Sequence, residues 1–159
     1  KFKIKLDYII EKKELGIIGS LSIYKKKYSD YIIVSNSDII TKIDYNELLL
    51  LHKKNKNLVT LVVTADEYTY PYGTCILNSS GNLKKIIEKP KFQFLSNTGV
   101  YIMNKEVVKY IKYNTKFDVT DLFNKLIKNK KKIGIYPISN LNWMDFGEWD
   151  KLLGNIKYE

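Results

Sequence analysis

The sequence contains no arginine: all 27 of its basic residues are lysine. Arginine is the usual bidentate reader of guanine and of phosphate, so a formal net charge of +10 arrives without the residue that specific nucleic-acid recognition leans on. The lysine, asparagine, isoleucine and tyrosine bias has the look of an AT-rich genome. On that reading, runs such as Lys25-Lys26-Lys27 and Lys130-Lys131-Lys132 are solvated faces, and a nucleic-acid-binding module rests on charge alone. One cysteine, Cys75, can neither close an internal disulfide nor build a zinc site. That fits a reducing cytoplasm and leaves oxygen donors for any metal. No apolar run approaches a membrane span, and no secretory leader opens the chain, so a soluble protein with no membrane partner is expected.

What is present fills one domain, residues 1–159, with no internal repeat or linker. The chain opens KFKIKLDYII, without methionine and with strand-like alternation already under way over residues 2–10, which predicts the remainder of a longer chain. LGIIGS at 15–20 brings two glycines ahead of a short helix expected over Leu21 to Tyr28. Tyr31 to Val34 reads as a strand buried on both faces. Asp44 and Glu47 stand at capping-box spacing before a helix over Tyr45 to Lys54, and Leu58 to Thr64 is another buried strand. Strand, helix, strand at this spacing predicts a βαβ unit with parallel pairing, hence an α/β fold. Further on, Thr74 to Leu77 and Leu83 to Glu88 read as a hairpin, and Phe94 to Met103 as a strand. Lys105 to Ile111 and Leu122 to Lys128 read as helices, Lys132 to Pro137 as a late strand, and Asn142 to Asp150 leads into a last helix ending near Ile156.

Two aspartates stand out. Asp38 lies just past a buried strand, where open α/β sheets bind ligands, although a turn aspartate that caps backbone is the plainer reading. Asp145, in Trp143-Met144-Asp145-Phe146-Gly147, sits between large apolar residues before a glycine; a helix cap is its alternative. Glu88-Lys89-Pro90 is either strand-end punctuation or an acceptor and a cation suited to a sugar hydroxyl and a phosphate. Asn97-Thr98-Gly99 is either a bulge or the wall of a hydroxyl-binding pocket. His52 is expected to be inert on the polar side of a lysine-rich helix end, and Cys75 to be a small strand residue.

In order, these segments resemble the sugar-phosphate nucleotidyltransferases (NDP-sugar pyrophosphorylases): LGIIGSL, VSNSDIITKID, PYG, IIEKP, NTGVYIM, FDVTDLFNKLI and WMDFGEWDKL. The most similar branch includes the mannose-1-phosphate guanylyltransferase-like and amino-sugar nucleotidyltransferases. The resemblance implies a three-layer α/β/α sandwich around a mixed, mostly parallel, Rossmann-like sheet, and transfer of a nucleotidyl group from a nucleoside triphosphate to a sugar 1-phosphate. It implies Mg2+ held by Asp38 and Asp145, with Lys89 reaching the sugar phosphate. Gly16 and Gly19 would lie by the nucleobase, and Gly73, Glu88, Asn97 and Thr98 would line the sugar-phosphate pocket. Homo-oligomerisation stays open.

The chain departs from the family at Ser37, where glycine is usual before the aspartate, and at Phe146, where isoleucine is preferred. The glycine-rich signature GxGTRLxPLT, which holds the triphosphate, is absent from these residues. The expectation is therefore the C-terminal portion of the domain, inactive by itself. A non-catalytic homologue that binds a sugar nucleotide is the alternative.

Overall fold

A computed structural model describes residues 4–24 and 27–147. The elements run α1 (Gly16–Gly19), β1 (Tyr31–Ser35), β2 (Ile39–Thr41), α2 (Tyr45–Lys54), β3 (Val59–Thr69), β4 (Thr74–Leu77), β5 (Leu83–Ile87), β6 (Lys91–Asn104), α3 (Val119–Lys128), β7 (Ile133–Ile138) and β8 (Trp143–Asp145), with short 3-10 turns between some of them. The main sheet has the order β1-β6-β3-β7; β2 pairs with β8, and β4 with β5.

Period-two alternation on β6 explains the layering. Val100 and Ile102 face a cluster built on Leu48 of α2 and Val62, while Tyr101 and Met103 face the opposite cluster with Ile18, Val107, Leu122 and Leu126. Each face of the strand is thus covered by helix, which gives the expected three-layer sandwich. Helix α3 reads in the sequence as an apolar stripe, and it buries Val119, Leu122 and Leu126. Among the described residues no helix is long and apolar enough to cross a membrane.

Four expectations need correction. β1 and β3 point the same way but do not pair, because β6 lies between them antiparallel to both; the parallel ladder is β3 with β7. Three of four strands still share a direction. β1 is not buried on both faces, since it ends the sheet and Ile33 is 50% exposed. The strand expected over residues 2–10 lies partly outside the described residues, and from Ile4 to Ile10 it is exposed chain that belongs to no helix or strand. Alternation alone cannot stabilise a strand that has no neighbour to pair with. The first helix comes earlier than expected: LGIIGS is itself helical, followed by a 3-10 turn over Ser20–Ser22, and Tyr28 Oη donates back to the Leu21 carbonyl. The short helix expected from Lys105 is present as a 3-10 helix, Lys105–Tyr110, and the last helix lies outside the described residues.

The fifth difference is His52. It is buried, not on a polar face: Leu48 and His52 are the two residues of α2 that turn inward. Its Nε2 lies 2.8 Å from Asn104 Oδ1 and its Nδ1 2.8 Å from Thr60 Oγ1. The neutral ring fits both, donating from Nε2 and accepting the threonine hydroxyl at Nδ1. Thr60 Oγ1 in turn accepts from Asn57 Nδ2. Burial holds the imidazole below its ordinary value of 6.5, against a smaller opposing effect of the Asn104 hydrogen bond.

Below pH 6.5 the unfolded chain therefore binds a proton that the folded chain resists, so stability falls as pH drops through that value and is complete above it. Urea midpoints measured from pH 7.5 down to 5 should decline in this window. His52→Gln should remove the decline, whatever its own stability; a slope that persists in the variant refutes the assignment.

Candidate functional site

The two carboxylates converge. β1 ends at Ser35, and Asn36 then donates its N–H to the Gly99 carbonyl at 3.0 Å, turning the chain through Ser37 into Asp38. β2 begins immediately after, paired antiparallel to β8 with Ile39 opposite Asp145. Phe146 N–H donates to the Asp38 carbonyl at 2.7 Å, so Asp38 and Asp145 are diagonal neighbours across one ladder. A Cβ added to Gly147 would lie 2.8 Å from Asp38 Oδ2 and 3.2 Å from Asp145 Oδ1. These distances cap the separation of the two oxygens at about 6 Å, and Asp145 Oδ1 also accepts from Gly147 N–H at 2.8 Å.

Among the described residues no three His, Cys, Asp or Glu side chains gather around one point. A pair of carboxylates is nonetheless the usual protein share of a magnesium site whose remaining ligands are phosphates and water. The donor chemistry therefore fits the expected ion.

Both carboxylate segments are anchored to β6 where it leaves regular register opposite Leu61 to Val63. The Thr98 hydroxyl donates to the Val62 carbonyl at 2.9 Å, and the Thr98 carbonyl accepts from Trp143 Nε1 at 2.9 Å. Thr98 is 1% exposed, so its hydroxyl is not free for a sugar phosphate; it positions β8 instead. Gly99 has φ +78°, and a Cβ there would strike the Asn36 side chain at 2.7 Å. Asn36, Gly99 and Trp143 thus hold the carboxylate segments in place; of these, sequence reasoning passed over Asn36 and gave Trp143 no role of its own. The signal for Trp143 was available: a partly buried indole needs an acceptor for its N–H.

The remaining predicted residues fall into small groups. Gly73 and Glu88 meet at the base of the β4–β5 hairpin, where a Gly73 Cβ would come within 2.8 Å of Glu88 Oε2. Lys89 follows, exposed and at φ +42°. Asn97 is exposed on β6, with Nδ2 donating to Tyr101 Oη at 2.7 Å and Oδ1 accepting from Gly99 N–H at 3.2 Å. Burial pushes the Tyr101 phenol up, so it stays neutral as a partner for Asn97. Gly16 and Gly19 have a packing role: at φ +73° Gly16 sits against the Asp118 carboxylate, and Gly19 against the Thr115 carbonyl. Ile17 N–H donates to Asp118 Oδ1, which docks α1 onto the start of α3.

The model of the family described as Nucleotidyl transferase matches residues 1–158. The chain belongs to that family. Mannose-1-phosphate guanyltransferase 2 of Candida glabrata is 29% identical over 156 residues, covering 93% of this chain and 42% of that protein. This chain thus spans less than half the length of that relative. Among solved structures, HddC from Yersinia pseudotuberculosis superimposes with TM-score 0.65 at 20% identity over 98% of this chain and 69% of its own. HddC complexed with GMP-PN gives TM-score 0.63 at 20% identity, over 96% and 68%. These likenesses carry the nucleotide-diphospho-sugar transferase fold, to which the sandwich here conforms.

Gly147→Ala should displace the Asp38 carboxylate while leaving folding nearly intact, because Gly147 is exposed and the clash is with a side chain. Mn2+ titration followed by electron paramagnetic resonance should show affinity weakened about tenfold or more, a loss of ~1.4 kcal/mol. Unchanged Mn2+ affinity would mean the two carboxylates do not share an ion.

Proposed function

We propose that the protein is a sugar-1-phosphate nucleotidyltransferase of the mannose-1-phosphate guanylyltransferase-like branch, working in the cytoplasm. The observation that carries the reading is the convergence of Asp38 and Asp145 beside Gly147 in a chain of this family. The guanine and mannose preferences are supported only by the names of the relatives, and activity is proposed for the whole protein.

Asp38 and Asp145 would hold a divalent cation, for which we favour Mg2+; such an ion neutralises phosphate charge during nucleotidyl transfer. The reaction is an in-line displacement. A phosphate oxygen of the sugar 1-phosphate attacks the α-phosphorus, a new P–O bond forms, and the bond to the β-phosphate breaks with release of pyrophosphate. Lys89 supplies positive charge to the attacking sugar phosphate, fixing its position without a proton transfer. Glu88 accepts a hydrogen bond from a sugar hydroxyl, with Gly73 leaving room beside its carboxylate. The Asn97 carboxamide, steadied by Tyr101 and the Gly99 amide, forms another wall. Gly16 and Gly19 would lie by the nucleobase, on the α1 turn that they pack against the start of α3. No nucleic acid enters this scheme.

The test is pyrophosphate release from GTP and mannose 1-phosphate with Mg2+, together with calorimetric binding of GDP-mannose. Asp38→Asn and Asp145→Asn should each lower turnover by about a hundredfold or more, ~2.7 kcal/mol of barrier, and weaken metal-dependent product binding. GDP-mannose binding without turnover in the whole protein would favour the non-catalytic alternative. Turnover insensitive to both substitutions would remove these carboxylates from the mechanism.

A further inference from the structure

At the pole of the sheet opposite the carboxylates, five lysines rim one cavity of about 410 Å³: Lys56, Lys109, Lys130, Lys131 and Lys132. Glu106 is the single acid in its lining. Asp38 follows the C-terminal end of β1, whereas this cavity lies where β3 and β7 begin and β6 ends. The full length of β1, ~17 Å, separates the two regions.

Two features mark this cavity as a built site rather than scattered charge. The first is convergence: α2 and α3 end in the same Lys-Asn-Lys sequence, at 54–56 and 128–130. In both copies the final lysine takes positive φ, 52° at Lys56 and 53° at Lys130. Glycine or asparagine is the usual occupant of such a position, so lysine is held there against backbone preference, twice, around one cavity. A favourable helix dipole accounts for Lys53, Lys54 and Lys128 in the last turns. It does not account for Lys109, which comes from the 3-10 turn after β6.

The second feature is a rigid frame. Leu58 N–H donates to the Lys132 carbonyl, Asn104 N–H to the Leu58 carbonyl, and Lys131 N–H to the Leu126 carbonyl, at 2.8 to 3.0 Å. Lys132 Nζ reaches the Asn55 carbonyl at 2.6 Å, tying the two helix ends together. The other four ammonium groups are exposed and make no hydrogen bond or ion pair within the described structure.

We infer that this cavity is a second binding site, independent of the proposed catalytic centre, for a small molecule carrying two or more phosphate groups. Its volume lies in the range of small-ligand pockets. Lysine ammonium groups bind phosphate as point charges and need no planar fork, so the absence of arginine is no obstacle. Lysines gathered around one opening favour a compact anion over a nucleic-acid strand, which needs an extended track.

Inorganic tripolyphosphate serves as probe, titrated calorimetrically in EDTA at physiological ionic strength, where loose attraction between exposed charges is screened. The expected result is saturable binding at one site, weakened about tenfold or more in Lys109→Gln/Lys131→Gln. Asp38→Asn should bind like the parent. So should Lys84→Gln/Lys85→Gln, which removes the same net charge from β5. Equal loss in both lysine pairs would mean general charge attraction and overturn the proposal. So would no saturable binding below about 1 mM, or binding of a single-stranded oligonucleotide in place of tripolyphosphate.

Discussion

Two successive carbonyls of β6 hold the carboxylate region together. The Thr98 carbonyl takes the Trp143 indole and the Gly99 carbonyl takes the Asn36 amide, so the segments bearing Asp145 and Asp38 hang from adjacent peptide units of one strand. Those carbonyls are available because the β3–β6 ladder slips register there, and the Thr98 hydroxyl fills the resulting gap at Val62. A bulge beside a candidate site is a recurring device for re-aiming backbone groups. Here it converts an ordinary central strand into a mount for two other segments, and positive φ at Gly99 lets Asn36 approach without a clash. The layers on either side serve the same end, since Val100 to Met103, packed on both faces, hold the strand in place just past the bulge.

The sequence made the layers easier to read than the pairing. Capping chemistry placed α2 well, and Asp44 does accept from the Asn46 and Glu47 amides; Glu47, however, turns its carboxylate to Tyr136 rather than back to the cap. Helix α3 and the β4–β5 hairpin were equally legible, because stripe and turn chemistry are local. Pairing is not. Nothing near Tyr31 or Val59 announces that a strand some forty residues further along inserts between them. His52 was misjudged for a related reason: neighbouring lysines on α2 suggested a wet face, while its partners Thr60 and Asn104 come from β3 and β6. Of the site residues, the aspartates and the Gly73–Glu88 pair could be anticipated from their motifs. Thr98 could not be sorted from Asn97, since alternation along a bulged strand decides which side chain is buried.

The charge distribution now has more shape than a net value conveys. The candidate catalytic end presents two carboxylates, with Lys89 exposed beyond the hairpin, whereas the far pole collects lysines from two helix ends, a 3-10 turn and the start of β7. On the two proposals, phosphate-bearing molecules would be drawn to both ends for different reasons: at one, through a cation held by acids; at the other, directly by ammonium groups. At ordinary ionic strength the Debye length is ~8 Å, shorter than the distance between the poles, so each end acts electrostatically by itself.

The site is built on the least supported part of the fold, and that has a physical logic. β2 and β8 are three residues each and pair only with one another, too little for independent stability. Their order depends on Trp143 and Asn36. Two carboxylates within about 6 Å repel by roughly 0.7 kcal/mol or more even in water. Repulsion of that size is small beside a packed core but not beside a six-residue ladder. A cation shared between Asp38 and Asp145 turns this repulsion into attraction, so binding it should tighten the β2–β8 pair while the main sheet, which owes nothing to either acid, stays as it is. Coupling between ligand and local order then follows from the small size of the ladder, without movement of any helix.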